Sequence, residues 1–245
     1  MPIIAYFDRR VTNKTAFEHA TKVTVNGAAA AGAWYWEKSG REGQMLEAHY
    51  RLRQYWPAHV KINVGLPIKG LSAGTGLTYD NSLTLSIATG AANITTVDGN
   101  TLRMIVTSDG KPILNVPVSL GKAKTPTYSG TKIVMEKDRV EHMVGTDPAD
   151  PYNLYVPWSV RLTNSGEFVH AASWNGGNIG SRSTSNGCTN LNIADAERYF
   201  KFAQIGDVFT YTNTGGANMP SWDGYGDWNL PWSQWQAGGA VTSSN

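Results

Sequence analysis

The chain has 245 residues, a formal net charge of +2 and only 16% charged side chains. That length allows two modest domains, and the small charge, without a run of lysines and arginines, argues against a nucleic-acid partner. No apolar stretch reaches the roughly 20 residues that span a bilayer, and the first residues lack the pattern of a signal peptide. We therefore expect any export signal or membrane anchor to lie outside this sequence.

Residues 1–89 are predicted to form one domain of short strands. The strand segments are rich in β-branched and aromatic residues and are separated by turn residues: 3–7, 22–25, 33–36, 45–50, 60–64 and 83–87. Asn26-Gly27 predicts a tight turn, and Thr15 with Glu18 predicts a capping box on a short helix. Six short strands at this spacing are typical of an immunoglobulin-like sandwich.

Residues 90–213 are predicted to form a second, mostly β domain. Small polar residues at 90–99 favour a seam between the domains. New strand segments follow it: 101–107, 111–120, 131–135, 159–162, 167–171 and 208–211. Ser108-Asp109-Gly110 and Asn164-Ser165-Gly166 predict two hairpin turns.

The rest of the chain combines one main helix with an aromatic tail. Apolar residues repeat at helical spacing over 193–203, and Asn192 is placed to cap that helix. Residues 214–245 contain five aromatic residues in a stretch rich in glycine, aspartate and proline: Trp222, Tyr225, Trp228, Trp232 and Trp235. We interpret this tail as a C-terminal subdomain that docks on a domain through buried aromatic area. The alternative is a surface that stacks against sugars.

The only cysteine, Cys188, lies in the polar run Ser185-Asn186-Gly187-Cys188-Thr189-Asn190, eighteen residues after His170. A single cysteine excludes an internal disulfide and a multi-thiolate metal site. A thiol is mostly protonated at neutral pH, and an imidazole can remove its proton. Gly187 lets a substrate carbonyl approach the main chain closely, where N–H groups can bind an oxyanion. The pattern predicts a nucleophile, Cys188, activated by His170.

This run resembles the signature of the L,D-transpeptidases, in which a histidine and a loop precede Ser/Thr-His-Gly-Cys and, one residue later, Asn or Arg. Together with the tail sequence Gly-Asp-Trp-Asn-Leu-Pro-Trp at 226–232, the whole chain looks like the mycobacterial-type enzymes. The resemblance implies a mainly β fold. An N-terminal immunoglobulin-like sandwich would precede a β-rich L,D-transpeptidase catalytic domain with one main helix and an aromatic C-terminal extension.

The resemblance also implies an activity and its partners. Cys188 would attack the tetrapeptide stem of peptidoglycan, release D-alanine, and pass the acyl group to the diamino acid of a second stem, which gives a 3→3 cross-link. No cofactor is implied. Carbapenem β-lactams would acylate Cys188, and the enzyme would work in the cell envelope, outside the cytoplasm.

The family's site residues map onto this chain by the same resemblance. His170 would be the base, oriented by the main-chain carbonyl of Ala171, and Gly187 would adjoin the nucleophile. The substrate-contacting residues would be Tyr155, Ser165, Gly166, Ser185, Asn186 and Asn190. Tyr152 competes with Tyr155 for the place of the cleft tyrosine.

Asn186 stands where the family usually has histidine. An asparagine side chain can donate and accept hydrogen bonds, but it does not titrate near neutral pH. We therefore expect an active enzyme with atypical kinetics.

Other functions stay open at this point. A non-catalytic module that binds peptidoglycan would use the tryptophans, and an L,D-carboxypeptidase would use water as the acceptor. A papain-like peptidase is disfavoured because its cysteine precedes its histidine in the chain. The cluster of Asp138, Glu141 and His142 is interpreted as a group of exposed polar side chains and not as a metal site.

Overall fold

The chain folds into two compact units of mainly β structure. The computed structural model describes residues 1–145 and 147–241. One unit comprises Pro2–Ala91 and the chain from Leu230, and the other comprises Ala92–Asn229 with Met1. The predicted C-terminal segment, 214–245, is thus divided between the two units. Within the described ranges, no helix is long and apolar enough to cross a membrane.

The first unit is a sandwich of two sheets with a short helix near its start. Its elements are β1 (Ile3–Phe7), α1 (Lys14–Ala20), β2 (Lys22–Val25), β3 (Ala28–Ala29), β4 (Gly32–Lys38), β5 (Leu46–Leu52), β6 (Lys61–Leu66), β7 (Ser72–Gly74), β8 (Leu77–Thr78) and β9 (Leu83–Ala88). One sheet has the order β1-β5-β4 and the other β3-β2-β6-β9, while β7 and β8 pair separately. Both sheets bury alternate side chains in one core, such as Trp34 and Trp36 from β4 and Ile62 and Val64 from β6. The predicted sandwich is confirmed.

Two local predictions for this unit have different outcomes. Asn26-Gly27 has positive φ at both residues and joins β2 to β3 as a two-residue turn, as predicted. The helix α1, however, is capped by Asn13, whose Oδ1 accepts a main-chain N–H of the first turn at 3.3 Å. Glu18 accepts the indole N–H of Trp36 at 2.6 Å instead of reaching back to the cap. The predicted capping box of Thr15 and Glu18 is therefore wrong.

The second unit has two sheets and one main helix. Its elements are β10 (Asn93–Asp98), β11 (Arg103–Ser108), β12 (Lys111–Pro117), β13 (Gly130–Ile133), β14 (Glu136–Val144), β15 (Asn153–Arg161), β16 (Phe168–Ala171), β17 (Thr189–Leu191), α2 (Ile193–Phe202) and β18 (Val208–Thr212). One sheet has the order β12-β11-β10-β18-β13, and the other β14-β15-β16-β17. The helix α2 packs against β15 and β16. A continuous apolar core joins both sheets and the buried side chains of α2, Ala196 and Tyr199.

The second unit also corrects several sequence-based expectations. The boundary between the units lies between Ala91 and Ala92, inside the predicted seam, but residues 93–98 form β10, the middle strand of the five-stranded sheet, which pairs in parallel with β18. Its polar residues, among them the adjacent Thr95 and Thr96, hid the strand, since only Ile94 and Val97 are aliphatic. Asn192 occupies the cap position of α2 without a side-chain hydrogen bond. Both predicted hairpins are present, between β11 and β12 and between β15 and β16.

The aromatic tail contributes to the first unit through a third helix, α3 (Trp232–Ala237). Trp235 is buried, donates its indole N–H to the Ala33 carbonyl at 2.9 Å, and stacks on Tyr35 with 4.8 Å between ring centroids. The guanidinium of Arg51 lies 4.4 Å from the Trp235 ring. In contrast, Trp222 is 67% exposed. The tail is therefore largely a packing element, with one tryptophan left at the surface.

Candidate active site

Strand pairing brings His170 and Cys188 to one cleft. β16 and β17 run parallel, with Val169 opposite Thr189 and His170 opposite Asn190. Cys188 directly precedes β17, so it lies next to the strand that carries the histidine. Both residues line a cleft of about 220 Å³ in the second unit. The pairing of these two short strands therefore brings together two residues that lie eighteen positions apart in the sequence.

His170 is held in its neutral form. Its Nδ1 lies 2.9 Å from the carbonyl oxygen of Ala171, and its ring stacks on Trp174 with 5.9 Å between centroids. Burial lowers the pKa of His170 to about 4, against a weaker opposing effect of the Ala171 carbonyl. At neutral pH the ring is therefore uncharged. An Nδ1–H that donates to Ala171 leaves the lone pair on Nε2, where a proton can be taken up.

Cys188 is a protonated thiol in this environment. Burial raises the pKa of Cys188 to about 11, and a hydrogen bond from the main chain of Phe168 only partly offsets this. The Sγ lies 3.7 Å from the carbonyl oxygen of Gly166. Both groups are therefore neutral near pH 7, a state in which the imidazole can act as the acceptor of the thiol proton.

The main chain around the nucleophile is fixed on both sides. Gly187 has φ of +119°, a conformation that side-chain-bearing residues rarely adopt. Its carbonyl accepts the hydroxyl of Thr127 at 2.7 Å, and its N–H donates to Ser185 Oγ at 3.2 Å. Ser185 Oγ in turn donates to the Cys188 carbonyl at 2.6 Å. The peptide planes on either side of Cys188 therefore have little freedom.

A buried ion pair lies behind this segment. Lys132, which has no exposed surface, pairs with Glu167, and burial lowers the pKa of Lys132 and raises that of Glu167. Glu167 also accepts the main-chain N–H of Tyr128 at 2.7 Å. A Cβ placed on Gly187 would lie 3.6 Å from Glu167 Oε1, so the carboxylate packs under the glycine. Removing one partner of such a pair typically costs about 3–5 kcal/mol, which makes it part of the site's scaffold.

The predicted pair Ser165 and Gly166 lies on the other side of the nucleophile. Ser165 donates its N–H and its hydroxyl to the buried carboxylate of Asp223, at 2.7 and 2.5 Å. With Gly187 and Asn186, the two residues line a second groove of about 400 Å³. Cys188 is therefore flanked by a cleft on one side and a groove on the other.

The structure does not bring Tyr155 into the cleft. Its side chain is 72% exposed, and its ring stacks on His142 with 4.7 Å between centroids. Side chains alternate along β15, so Leu154 and Val156 line the cleft and Tyr155 faces away from it. Tyr152, at the start of the same hairpin arm, lines the cleft instead. The alternation of side chains along β15 therefore excludes the predicted Tyr155 from the cleft.

Asn186 lies at the mouth of both cavities. Its Oδ1 accepts the hydroxyl of Thr125 at 3.4 Å, and it also hydrogen-bonds to Asp150, whose pKa is lowered chiefly by Lys122. Lys122 and Asp150 form an ion pair that links the two walls of the cleft. The asparagine therefore bonds to one neutral and one acidic neighbour.

Several residues that shape the site escaped sequence analysis. They are distant in sequence or have no chemical signature: Lys122, Thr127, Lys132, Trp174, Asn175, Thr184 and Asp223. Thr127, sixty residues before Gly187, can be placed only by the fold. Among residues 1–145 and 147–241, no group of three His, Cys, Asp or Glu side chains could hold a metal ion. His142 of the suspected cluster hydrogen-bonds to Asn153 at 2.8 Å.

Acyl transfer is a reaction that a thiol and a neutral imidazole can serve in such a cleft. Comparison with known families agrees. Residues 92–212 match the L,D-transpeptidase catalytic domain, and residues 1–72 match the bacterial Ig domain. The chain belongs to the L,D-transpeptidase family, with an immunoglobulin-like domain ahead of its catalytic domain.

Individual relatives come from mycobacteria. L,D-transpeptidase 2 of Mycobacterium tuberculosis CDC 1551 is 31% identical over 98% of this chain and 58% of its own length. L,D-transpeptidase 5 of M. tuberculosis H37Rv is 31% identical over 96% of this chain and 52% of its own length. The chain thus spans less than two thirds of either relative. The solved structure of the L,D-transpeptidase LdtMt1 in complex with imipenem is 26% identical and has a TM-score of 0.71, over 86% of this chain and 91% of that one.

Proposed function

We propose that this protein is a peptidoglycan L,D-transpeptidase that forms 3→3 cross-links through a thioester on Cys188. The observation that carries the proposal is the placement of Cys188 beside a buried, neutral His170 in one cleft. Similarity to L,D-transpeptidases along both domains supports it. The carbapenem inhibition that we propose here is supported by the imipenem complex of LdtMt1.

The first half of the reaction forms the thioester. The thiol proton moves to His170 Nε2 as Sγ attacks the carbonyl of the third stem residue and an oxyanion forms. When the intermediate collapses, the bond to the terminal D-alanine breaks and His170 returns its proton to the leaving amine. We assign the oxyanion to the main-chain N–H of Cys188, which the neighbouring Gly187 allows the substrate to approach, and to the hydroxyl of Tyr152.

The second half transfers the acyl group. The side-chain amine of a diamino acid on a second stem attacks the thioester, loses a proton to His170, and expels the thiolate, which is then reprotonated. We assign substrate contacts to Ser165 and Gly166 in the groove, and to Ser185, Asn186 and Asn190 in the cleft. The donor and the acceptor would then approach Cys188 from opposite sides.

The cellular setting follows from this substrate. A protein that acts on peptidoglycan works in the cell envelope, and an anchor in the full-length protein would keep it there. We assign catalysis to the second unit, predicted as 90–213, which follows the immunoglobulin-like domain, predicted as 1–89.

Product analysis separates transpeptidation from hydrolysis. A purified tetrapeptide donor would be incubated with the protein, with and without an excess of an acceptor stem bearing a free side-chain amine. Transpeptidase activity predicts a 3→3 dimer and one free D-alanine per cross-link. Tripeptide alone, even with acceptor in excess, would identify an L,D-carboxypeptidase, and no D-alanine at all would reject both enzymatic functions.

The two tyrosines give a matched test of the cleft assignment. We expect Tyr152→Phe to lower the rate of Cys188 acylation by about 10-fold, the scale of one lost hydrogen bond to a developing charge. Tyr155→Phe should leave the rate unchanged, because its ring faces His142 and not the cleft. Rates would be measured with imipenem by the loss of its absorbance. The opposite ranking of the two variants would contradict the assignment.

Replacing Asn186 with histidine tests the departure from the family pattern. We expect Asn186→His to raise the acylation rate and to add a pH dependence around the ordinary histidine pKa of about 6.5. Asn186→Gln, which cannot titrate, should add no such dependence. If the acylation rates of Asn186→His and wild type agree at every pH, the histidine in the family is not a titrating participant, and Asn186 does not make the kinetics atypical.

A further inference from the structure

Cys188 rests on the chain that bears a buried carboxylate. Its Sγ lies 3.7 Å from the carbonyl oxygen of Gly166 and is hydrogen-bonded by the main chain of Phe168. Glu167 lies between these two residues and is only 8% exposed. Its side chain packs beneath Gly187, with 3.6 Å between Oε1 and a Cβ placed on that glycine. A buried negative charge is therefore held close to the sulfur on which a second negative charge must develop.

Lys132 is the cation that balances this carboxylate. Its side chain has no exposed surface, and its Nζ pairs with Glu167 Oε2. The same Nζ lies 3.8 Å from the centre of the Tyr211 ring. The Tyr211 hydroxyl is 2.8 Å from Oγ1 of Thr189, the residue that follows Cys188. Lys132 thus adjoins the nucleophile segment from two sides, through Glu167 on one and Tyr211 on the other.

The two buried charges act on the thiol in opposite directions. Burial raises the pKa of Cys188 to about 11, Glu167 adds to that rise, and Lys132 opposes it. Burial also raises the pKa of Glu167, and Lys132 opposes that rise as well. Among the described residues, the other titratable or charged side chains that face the pair or the thiol are left intact in the variants below: Tyr152, Arg161, His170, Tyr211 and Asp223.

We propose that Lys132 is a positioning residue for the reaction, whose ammonium group balances the Glu167 carboxylate so that Cys188 can carry negative charge during its attack. The lysine acts through Glu167 and has no exposed surface, so it does not itself touch the substrate. This inference rests on the proposed function of Cys188 as the nucleophile, and it gives the buried ion pair a role in the ionisation of the thiol.

Lys132→Met removes the ammonium group and keeps a long apolar side chain. Glu167 should then titrate at a higher pH than in wild type, because the cation that opposes the effect of burial is gone. Below that pH the carboxyl is neutral, and the acylation rate with imipenem should approach that of wild type. Above it the unbalanced carboxylate disfavours the thiolate, and the rate should fall to about a tenth of wild type, the effect of one pKa unit in the thiol.

Alkylation of Cys188 by iodoacetamide separates this charge effect from a displaced main chain. Iodoacetamide needs the thiolate but forms no oxyanion, so the ratio of variant rate to wild-type rate should fall over the same pH range with both reagents. A purely structural role of Lys132 predicts an equal loss at every pH, or slow acylation with alkylation at the wild-type rate. Either result would overturn the inference, while acylation of wild type by imipenem would still support the proposed function.

Two further variants accompany Lys132→Met. Its combination with Glu167→Gln leaves no buried charge to balance and keeps an acceptor for the Tyr128 N–H, so it should fold even if the single variant does not. The ratio of its acylation rate to that of wild type should not vary with pH, and a loss that grows with pH would overturn the inference. Lys137→Met removes a half-buried lysine of the same unit, whose Nζ donates to the Ala203 carbonyl, and should leave both rates unchanged.

Glu167→Gln alone tests the sign of the effect. It removes the anion and leaves the cation, so alkylation by iodoacetamide at neutral pH should be at least as fast as in wild type. Loss of a structural contact would instead slow the reaction in this variant as in Lys132→Met. Slower alkylation of folded Glu167→Gln would therefore overturn the inference.

Discussion

His170→Ala is expected to slow acylation of Cys188 by about 10²–10⁴-fold at neutral pH, the range typical of a lost general base. The variant should also change the pH profile. In wild type the pKa of His170 is lowered to about 4 by burial, so the base is free of its proton from about pH 5 upward, and the rate should stay level from there to about pH 8. Below that range the ring gains a proton and the rate should fall.

Without the imidazole, the rate should follow the thiolate fraction. The thiol pKa is raised to about 11, so the rate of His170→Ala should rise roughly tenfold for each unit of pH up to that value. Stopped-flow measurements with imipenem across this pH range would show both profiles. His142→Ala, which alters an exposed histidine outside the cleft, serves as the control and should behave as wild type. A level profile in His170→Ala would show that another group takes the proton.

Gly187→Ala is expected to reduce acylation by about 10²–10³-fold, the scale of one lost oxyanion donor. A new Cβ would have room, since its nearest contact is Glu167 at 3.6 Å. The cost lies in the backbone, because φ of +119° is unfavourable for alanine and relaxation would turn the Cys188 N–H away from the substrate. The free energy of unfolding should also fall, by about 1–3 kcal/mol.

A second glycine, Gly206, separates the loss of acylation rate from the loss of stability. Gly206 has φ of +97° in the same unit, and a Cβ there would meet no atom within 4 Å. We expect Gly206→Ala to lose a similar amount of stability, measured by urea unfolding, and to keep the wild-type acylation rate. Equal acylation by Gly187→Ala and Gly206→Ala would mean that the conformation of Gly187 does not position the oxyanion donor.

The sequence was sufficient to single out Cys188 and His170, which the structure places in one cleft, because both belong to short local patterns. A lone cysteine in a polar, glycine-rich run is unusual for a buried structural residue, and the histidine precedes it by one loop. The sandwich could also be predicted from the sequence, since runs of β-branched residues indicate strands and Asn26-Gly27 indicates a tight turn from local sequence alone.

The remaining features depend on tertiary structure. The sequence of β10 is as polar as that of a linker, and it forms a strand because it pairs with β11 on one side and β18 on the other. The choice between Tyr152 and Tyr155 depends on the register of β15, which a sequence gives only if one face is clearly apolar. Thr127 and Asp223 act through single hydrogen bonds to distant residues, and no local pattern marks them.

The central claim is that Cys188 is an activated nucleophile for amide-like carbonyls, and intact-protein mass spectrometry after incubation with imipenem tests it most directly. The account predicts one covalent adduct on the wild-type protein, located on the peptide that contains Cys188, and none on Cys188→Ala. The absence of an adduct on folded wild type whose Cys188 still reacts with iodoacetamide would contradict the claim, as would an adduct that persists in Cys188→Ala.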